Sequence, residues 1–538
     1  MSPHPDGTGP QLIPSPSSLA LHEGLLRFPT RVGVRATPDQ VDTVVDLLSV
    51  GTGLRLHPAE DGAFITVNTR EGKPGSYSLT TNNGGVRIQT TDAEGLVNAI
   101  ATLRQLMPDW VHGPAPLPGA AIEVPCVEVE DAPSFSWRGM HLDVARHFMP
   151  LPVLYRFVDL LALHKFNRFH LHLTEDQGWR FEVKKYPLLT TIGAGRTHTF
   201  NPLWKDTDGT PHGGFYTQDQ LRALVGYAAT RGITIVPEID LPGHVRALLA
   251  AYPQFGELVD IPDNNETRRN LGDRENVATT WGVFQEVLHL SDETVAMVED
   301  IFTELLDVFP SPWIHIGGDE CPRTQWQASE ASANLARERG LDGVEQLQPW
   351  FTEHLRRWLA ERGRTMIGWD EIMDDGDVPG AVVMAWRGMA AVHRAVEKGH
   401  ETIVAPTFPL YFDHYQSRSD LEPYAFNGHN PWQAVAAFEP LGDLSEEQRA
   451  LVLGLQGQLW TEYIPNSRRL EYMMFPRASV LAEIAWNTVW PTPREMEPRL
   501  RRHLQRLDAA GVEYRPLDGP HLWQQGGTGR YARPEGHR

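Results

Sequence analysis

Asp319 and Glu320 close the run His315-Ile316-Gly317-Gly318-Asp319-Glu320, and an apolar stretch, Ser311-Pro312-Trp313-Ile314, precedes it. Glycine lets a ligand approach the backbone closely. A short buried strand ending in two carboxylates places them where parallel α/β folds carry their chemistry, and a carboxylic acid with a raised pKa there can act as a general acid. Asp-Glu pairs more often open helices, but here Cys321-Pro322 follows instead of an amphipathic run.

Other strand-like runs end in the same way. Trp137 to Asp143 leads to Arg146 and His147, Asn167 to Leu173 to Glu175, Asp176 and Gln177, and Ile233 to Val236 to Glu238, Asp240 and His244. Further on, Thr365 to Gly368 leads to Trp369, Asp370 and Glu371, and Val382 to Ala385 to Trp386 and Arg387. Thr402 to Ala405 is followed by Tyr411 and Asp413, and Val452 to Leu459 by Trp460 and Glu462. With the strand before Asp319, these make roughly eight, the number that closes a (β/α)8 barrel with its loops on one rim. Helical segments separate them. Thr217-Gln218-Asp219-Gln220 has the form of a capping box, opening a stretch with Leu221, Leu224, Val225 and Ala228 on one face before Gly232.

The predicted fold class is therefore α/β, a (β/α)8 TIM barrel over residues 129–515. A smaller α+β domain precedes it at 10–128, with a disordered N-terminus at 1–9 and an irregular tail, including Gly526-Gly527-Thr528-Gly529, at 516–538. In the first domain Thr37-Pro38 caps a helix. Phe64 to Thr69, Tyr77 to Thr81 and Val86 to Thr90 alternate as strands, and Leu96, Ile100, Leu103 and Met107 repeat at helical spacing. The junction is placed where Val127-Glu128-Val129-Glu130 runs into Asp131-Ala132-Pro133.

A formal net charge of -21 argues against nucleic acid and anionic membrane as partners. Two cysteines, Cys126 and Cys321, are too few for a disulfide framework. The first residues carry neither a basic nor an apolar signal region, so a cytoplasmic location is expected, or secretion if the N-terminus is truncated. Oligomeric state is not legible.

Trp369, Trp386 and Trp460 at three strand ends, with Tyr411, suit the stacking of sugar rings on a rim that should be wet, and Arg146 and Glu462 could bond sugar hydroxyls. Two other readings stand beside this one. His170, His172, His244 and His315 with an aspartate could ligate a metal in a barrel hydrolase, and the rim could bind sugar without turnover. No metal and no cofactor is the expectation.

Four segments then carry a resemblance: Trp137-Arg138-Gly139-Met140-His141-Leu142-Asp143-Val144-Ala145-Arg146-His147-Phe148, His170-Leu171-His172-Leu173-Thr174-Glu175-Asp176-Gln177-Gly178-Trp179-Arg180, Pro237-Glu238-Ile239-Asp240-Leu241-Pro242-Gly243-His244, and the Gly-Gly-Asp-Glu run. In order and length they resemble family 20 glycoside hydrolases, the β-N-acetylhexosaminidases. The resemblance implies exo-acting, retaining hydrolysis of terminal N-acetylglucosamine or N-acetylgalactosamine from a small oligosaccharide or glycoconjugate, with the substrate's 2-acetamido group as nucleophile. It implies Glu320 as acid and base and Asp319 as the residue orienting the acetamido group. Tyr411, Trp369, Trp386 and Trp460 would enclose that group, and Arg146, Glu462 and Asp413 would hold hydroxyls. Where the family commonly carries Asp-Asp or Asp-Ser this chain has Glu175-Asp176, and either residue could be the one that supports His244.

Overall fold

A seven-stranded sheet builds the N-terminal domain of the computed structural model, which describes residues 9–201, 206–257, 259, 276–418 and 420–525. The stretch read as disordered lies outside these residues except for Gly9, and Gly526 to Gly529 lie outside them too. The strands run in the order Ser18–Arg27, Glu123–Asp131, Tyr77–Asn82, Gly85–Thr90, Ile65–Thr69, Arg31–Arg35, Arg55–Pro58. Helices Pro38–Ser49 and Ala93–Leu106 pack against the sheet. The second starts where it does because the Asp92 carboxylate accepts from the Gly95 N–H at 2.7 Å.

The junction expected at 128/129 is corrected by this sheet. Val127 and Val129 pair with Thr81 and Leu79 inside strand Glu123–Asp131, so the N-terminal domain keeps this strand through Asp131. The alternation at the expected junction is a half-buried strand.

Eight parallel strands close the barrel in chain order: Trp137–Asp143, Arg168–His172, Thr234–Glu238, Trp313–His315, Thr365–Trp369, Val382–Ala385, Thr402–Val404 and Val452–Gly457. Each stands within a few residues of its predicted run, and helix Gln218–Ala229 opens with the capping box at Thr217 and Gln220. The barrel interior joins an apolar layer, with Trp137, Val236, Ile367 and Met384, to polar groups nearer the rim. Trp137 donates to the Gln456 side chain at 3.1 Å, and that side chain meets His170 at 2.9 Å. Among the described residues no helix is long and apolar enough to cross a membrane.

Candidate active site

Strand Trp313–His315 ends three residues before the acid pair, and two glycines make the turn. Gly317 and Gly318 have φ of +71° and +94°, and a Cβ on Gly317 would stand 1.7 Å from the Asp240 Oδ1. Only glycine fits there. The same Asp240 oxygen accepts from the Gly318 N–H at 3.1 Å, and the Gly318 carbonyl accepts from Gln348 at 2.8 Å. Beyond the turn Glu320 has a φ of +46° and its neighbour His244 one of +52°. Two side-chain-bearing residues in the left-handed region, facing one another, store strain at the site.

His244 organises the acids. Its Nε2 lies 3.5 Å from Glu320 and 3.9 Å from Asp319, while its Nδ1 lies 2.7 Å from Glu175 Oε1 and 3.0 Å from Asp176 Oδ2. The alternative left open by the sequence has a double answer: both Glu175 and Asp176 support the imidazole. Their other oxygens separate them, since Glu175 Oε2 meets Arg146 at 2.9 Å and Asp176 Oδ1 accepts from the Arg246 N–H at 3.0 Å. The extra methylene of Glu175 is what lets it span His244 and Arg146.

Charge follows from this packing. Burial alone would lower the His244 pKa, but the Glu175 charge and hydrogen bonds to Asp176, Glu175 and Glu320 hold it well above the usual histidine range. The His244 imidazolium, 3.5 Å away, holds Glu320 below its ordinary value, against burial. Burial, with the Glu320 and Glu238 charges outweighing His244, raises Asp319 to about 6. The raised acid expected of a proton donor is thus Asp319, not Glu320, in the free site. Glu320 is 40% exposed and its carboxylate lies 3.5 Å from the imidazolium Nε2, whereas Asp319 is 13% exposed and lies 3.9 Å from it. A sugar seated over Glu320 would strip its water and push its pKa upward.

The aromatic residues come together as a continuous wall. Trp369 and Trp460 ring centroids are 5.7 Å apart, Trp460 and Tyr411 6.3 Å, and Tyr411 stacks on Trp386 at 6.2 Å. The expectation of a wet surface fails for Trp369, which is 1% exposed and forms the floor, its Nε1 donating to Glu238 at 2.9 Å. Arg146 lies over the Trp460 ring at 4.8 Å and 3.5 Å from Asp143. Burial raises the Glu462 and Asp413 pKa values. One oxygen of each, together with Asp319 Oδ1, is buried without a hydrogen-bond partner among the described residues. Buried carboxylate oxygens that the protein leaves unpaired are ready acceptors for hydroxyl and amide donors.

The histidines of the metal reading have another employment. Glu238 Oε2 meets His170 at 2.9 Å and also His172, and its Oε1 meets His315 at 3.0 Å and the Trp369 indole. Four partners take up the acceptor capacity of one carboxylate. His141, His172 and Glu238, or Asp240, His244 and Asp319, are nonetheless groups of ligating type whose atoms lie within 4.8 Å of one another.

Sequence reasoning missed Glu371 as a site residue. Its carboxyl accepts from Trp386 Nε1 at 2.9 and 3.1 Å, and burial, then the charges of Asp319 and Asp370, raise its pKa to about 8. It lines a cavity of about 430 Å³ with Glu320, Arg323, Gln348 and Arg387, on the open side of the acid. The signal was its adjacency to Trp369-Asp370. Cys321 lines the same cavity, and burial pushes its thiol up to about 12, far from nucleophilic use.

A closed (β/α)8 barrel whose rim combines an acid pair, an aromatic wall and unpaired carboxylate oxygens is of the class that glycoside hydrolases use. The chain belongs to glycosyl hydrolase family 20: the family's catalytic-domain model matches residues 135–489 and its domain 2 model residues 9–132. A beta-hexosaminidase of Porphyromonas gingivalis is 36% identical over 523 residues, a match covering 94% of this chain and 64% of the relative's length. A beta-N-acetylhexosaminidase of Cellulomonas fimi is 30% identical over 530 residues, covering 94% and 95%. Among solved structures, the Streptomyces plicatus N-acetyl-beta-hexosaminidase in complex with Thio-NAglucal superposes with a TM-score of 0.79 at 29% identity, covering 95% of this chain and 97% of that one.

Proposed function

We propose that the protein is an exo-acting, retaining β-N-acetylhexosaminidase that releases terminal N-acetylglucosamine or N-acetylgalactosamine from small oligosaccharides or glycoconjugates by substrate-assisted catalysis. One observation carries the reading: Asp319 and Glu320 stand on one side of the pocket, 3.9 and 3.5 Å from a single imidazole nitrogen. Two carboxylates from one strand end suit one acid and one stabiliser. In the substrate-assisted scheme of family 20 the substrate's own acetamido oxygen attacks the anomeric carbon, and this pair would supply both protein roles.

In that scheme the ionised Asp319 accepts the acetamido N–H through its unpaired Oδ1, Tyr411 donates to the acetamido oxygen, and the tryptophan wall keeps the group against the anomeric carbon. Glu320 gives its proton to the glycosidic oxygen as the C1–O bond breaks and the acetamido oxygen bonds to C1. The oxazolinium cation so formed is stabilised by Asp319. Glu320, now a carboxylate, takes a proton from the water that attacks C1, and the ring reopens with the β configuration retained. Arg146 and the unpaired oxygens of Glu462 and Asp413 hold the hydroxyls of the terminal sugar.

Hydrolysis of a chromogenic N-acetyl-β-glucosaminide beside the matching β-glucoside, with and without chelator, tests this. Activity should be confined to the acetamido sugar, indifferent to chelator, and reduced at least roughly 10²-fold in Glu320→Gln. Equal turnover of both sugars would remove the acetamido nucleophile, and loss on chelation would favour the metal reading.

A further inference from the structure

A second cavity, of about 540 Å³, lies between the N-terminal domain and the far end of the barrel. Barrel helix Leu151–Leu163 leads from the rim back to the start of strand Arg168–His172, so its last residues stand at the amino ends of the strands, away from Asp319 and Glu320. Leu160 and Leu163 of that helix form an apolar floor with Leu47, Val97 and Ala101 of the N-terminal domain. The volume falls within the range of small-molecule sites.

Charge around this cleft does not balance. Arg231 is paired with Asp46 and Asp159 at 2.9 and 2.7 Å, and Arg156 with Glu471. Arg104 has no carboxylate partner among the described residues. Its terminal nitrogens donate to the carbonyls of Leu47, Val50 and Val111 at 2.8, 3.1 and 2.8 Å, using three of five N–H donors. Behind it Arg506, 2% exposed, donates only through one nitrogen, to Gln11 and Gln105 carbonyls at 2.8 and 3.0 Å. Its other two nitrogens are buried without partners among the described residues, as is Nε2 of His112 on the cleft wall. Burial and the neighbouring Arg104 and Arg506 charges lower His112 to about 3, so no positive charge of its own adds to the two. Guanidinium charge buried without a counter-ion is costly, and an anion relieves it.

We propose that this cleft binds an organic monocarboxylate with an apolar body, the carboxylate meeting the Arg104 guanidinium and the body lying on the Leu47, Val97, Ala101, Leu160 and Leu163 floor. Asp46 and Asp159 on the same rim oppose a dianion, which favours one charge over a phosphate. The site is separate from the catalytic rim and stands independently of the proposed hydrolysis.

Calorimetric titration and thermal shift of the full chain with octanoate test it, with 1-octanol and inorganic phosphate as matched probes. Octanoate should bind and raise Tm with concentration, while octanol and phosphate at the same concentrations should not. Arg104→Gln removes the charge and Leu163→Trp fills the floor. Either should weaken octanoate roughly tenfold or more while leaving chromogenic-substrate hydrolysis unchanged. Because Arg104 also ties helix carbonyls, Leu163→Trp decides the matter if Arg104→Gln does not fold. Absence of octanoate binding, equal binding of octanol or phosphate, or undiminished binding by folded Leu163→Trp would overturn the proposal.

Discussion

Glu371 shows what a residue's neighbours do to its chemistry. A carboxyl whose pKa rises from 4.5 to about 8 on folding binds its proton more tightly in the folded state than in the unfolded one. The unfolded state therefore loses the proton first, and stability falls as pH rises from 4.5 towards 8, then levels off. Glu371→Gln keeps an acceptor for the Trp386 indole and removes that ionisation. Its stability gain over wild type should grow between pH 5 and pH 8 to roughly 2–4 kcal/mol, read as a widening difference in Tm. A constant difference would show that the carboxyl titrates normally. Nothing in Trp369-Asp370-Glu371 discloses this, because the shift comes from burial and from the charge of Asp319 on another strand end, and it outweighs the Trp386 hydrogen bond. Asp319, Glu320, His244 and Arg146 were legible for the opposite reason: each sits in a contiguous motif directly after an apolar run. The protonation order of the acid pair was not, since it depends on which carboxyl the imidazolium touches.

At the scale of elements, the turn from strand Trp313–His315 is the piece that aims the acids. Gly317→Ala places a methyl group 1.7 Å from the Asp240 carboxylate at a φ of +71°. The variant should lose about 2–4 kcal/mol in denaturant unfolding and most of its activity, because relieving the clash moves Asp319 and Glu320. Unchanged stability would mean that the turn is not fixed by Asp240. The eight barrel strands could be read from the sequence because they are short, apolar and end in polar residues. The N-terminal sheet was read only in part. Ser18–Arg27 is mostly exposed and has no clean alternation, and Arg31–Arg35 and Arg55–Pro58 are short strands carrying arginine on their open faces.

The whole molecule is joined by a buried polar seam. Lys165, at the foot of the barrel, donates to Asp131 at 2.9 Å and to Tyr77 Oη at 2.8 Å in the N-terminal sheet, and its ammonium lies 4.4 Å over Trp486. Trp486 Nε1 donates to the other Asp131 oxygen at 2.8 Å. Both partners of the ion pair are fully buried. Lys165→Met would leave Asp131 without its cation, and the predicted cost is about 3–5 kcal/mol in chemical denaturation. A loss under 1 kcal/mol would show that the two domains do not depend on this seam. Asp131 was read only as the residue that ends the alternation at the junction, because its partners lie 34 and 355 positions away, beyond any local pattern.

The central claim is that the substrate's acetamido oxygen is the nucleophile. Hydrolysis rates for N-acetyl, N-fluoroacetyl, N-difluoroacetyl and N-trifluoroacetyl β-glucosaminides with one leaving group address it directly, because fluorine withdraws electrons from that oxygen. With the acetamido oxygen as nucleophile, kcat/KM falls steeply with each added fluorine. Rates that stay level across the series would contradict it and require a nucleophile from the protein.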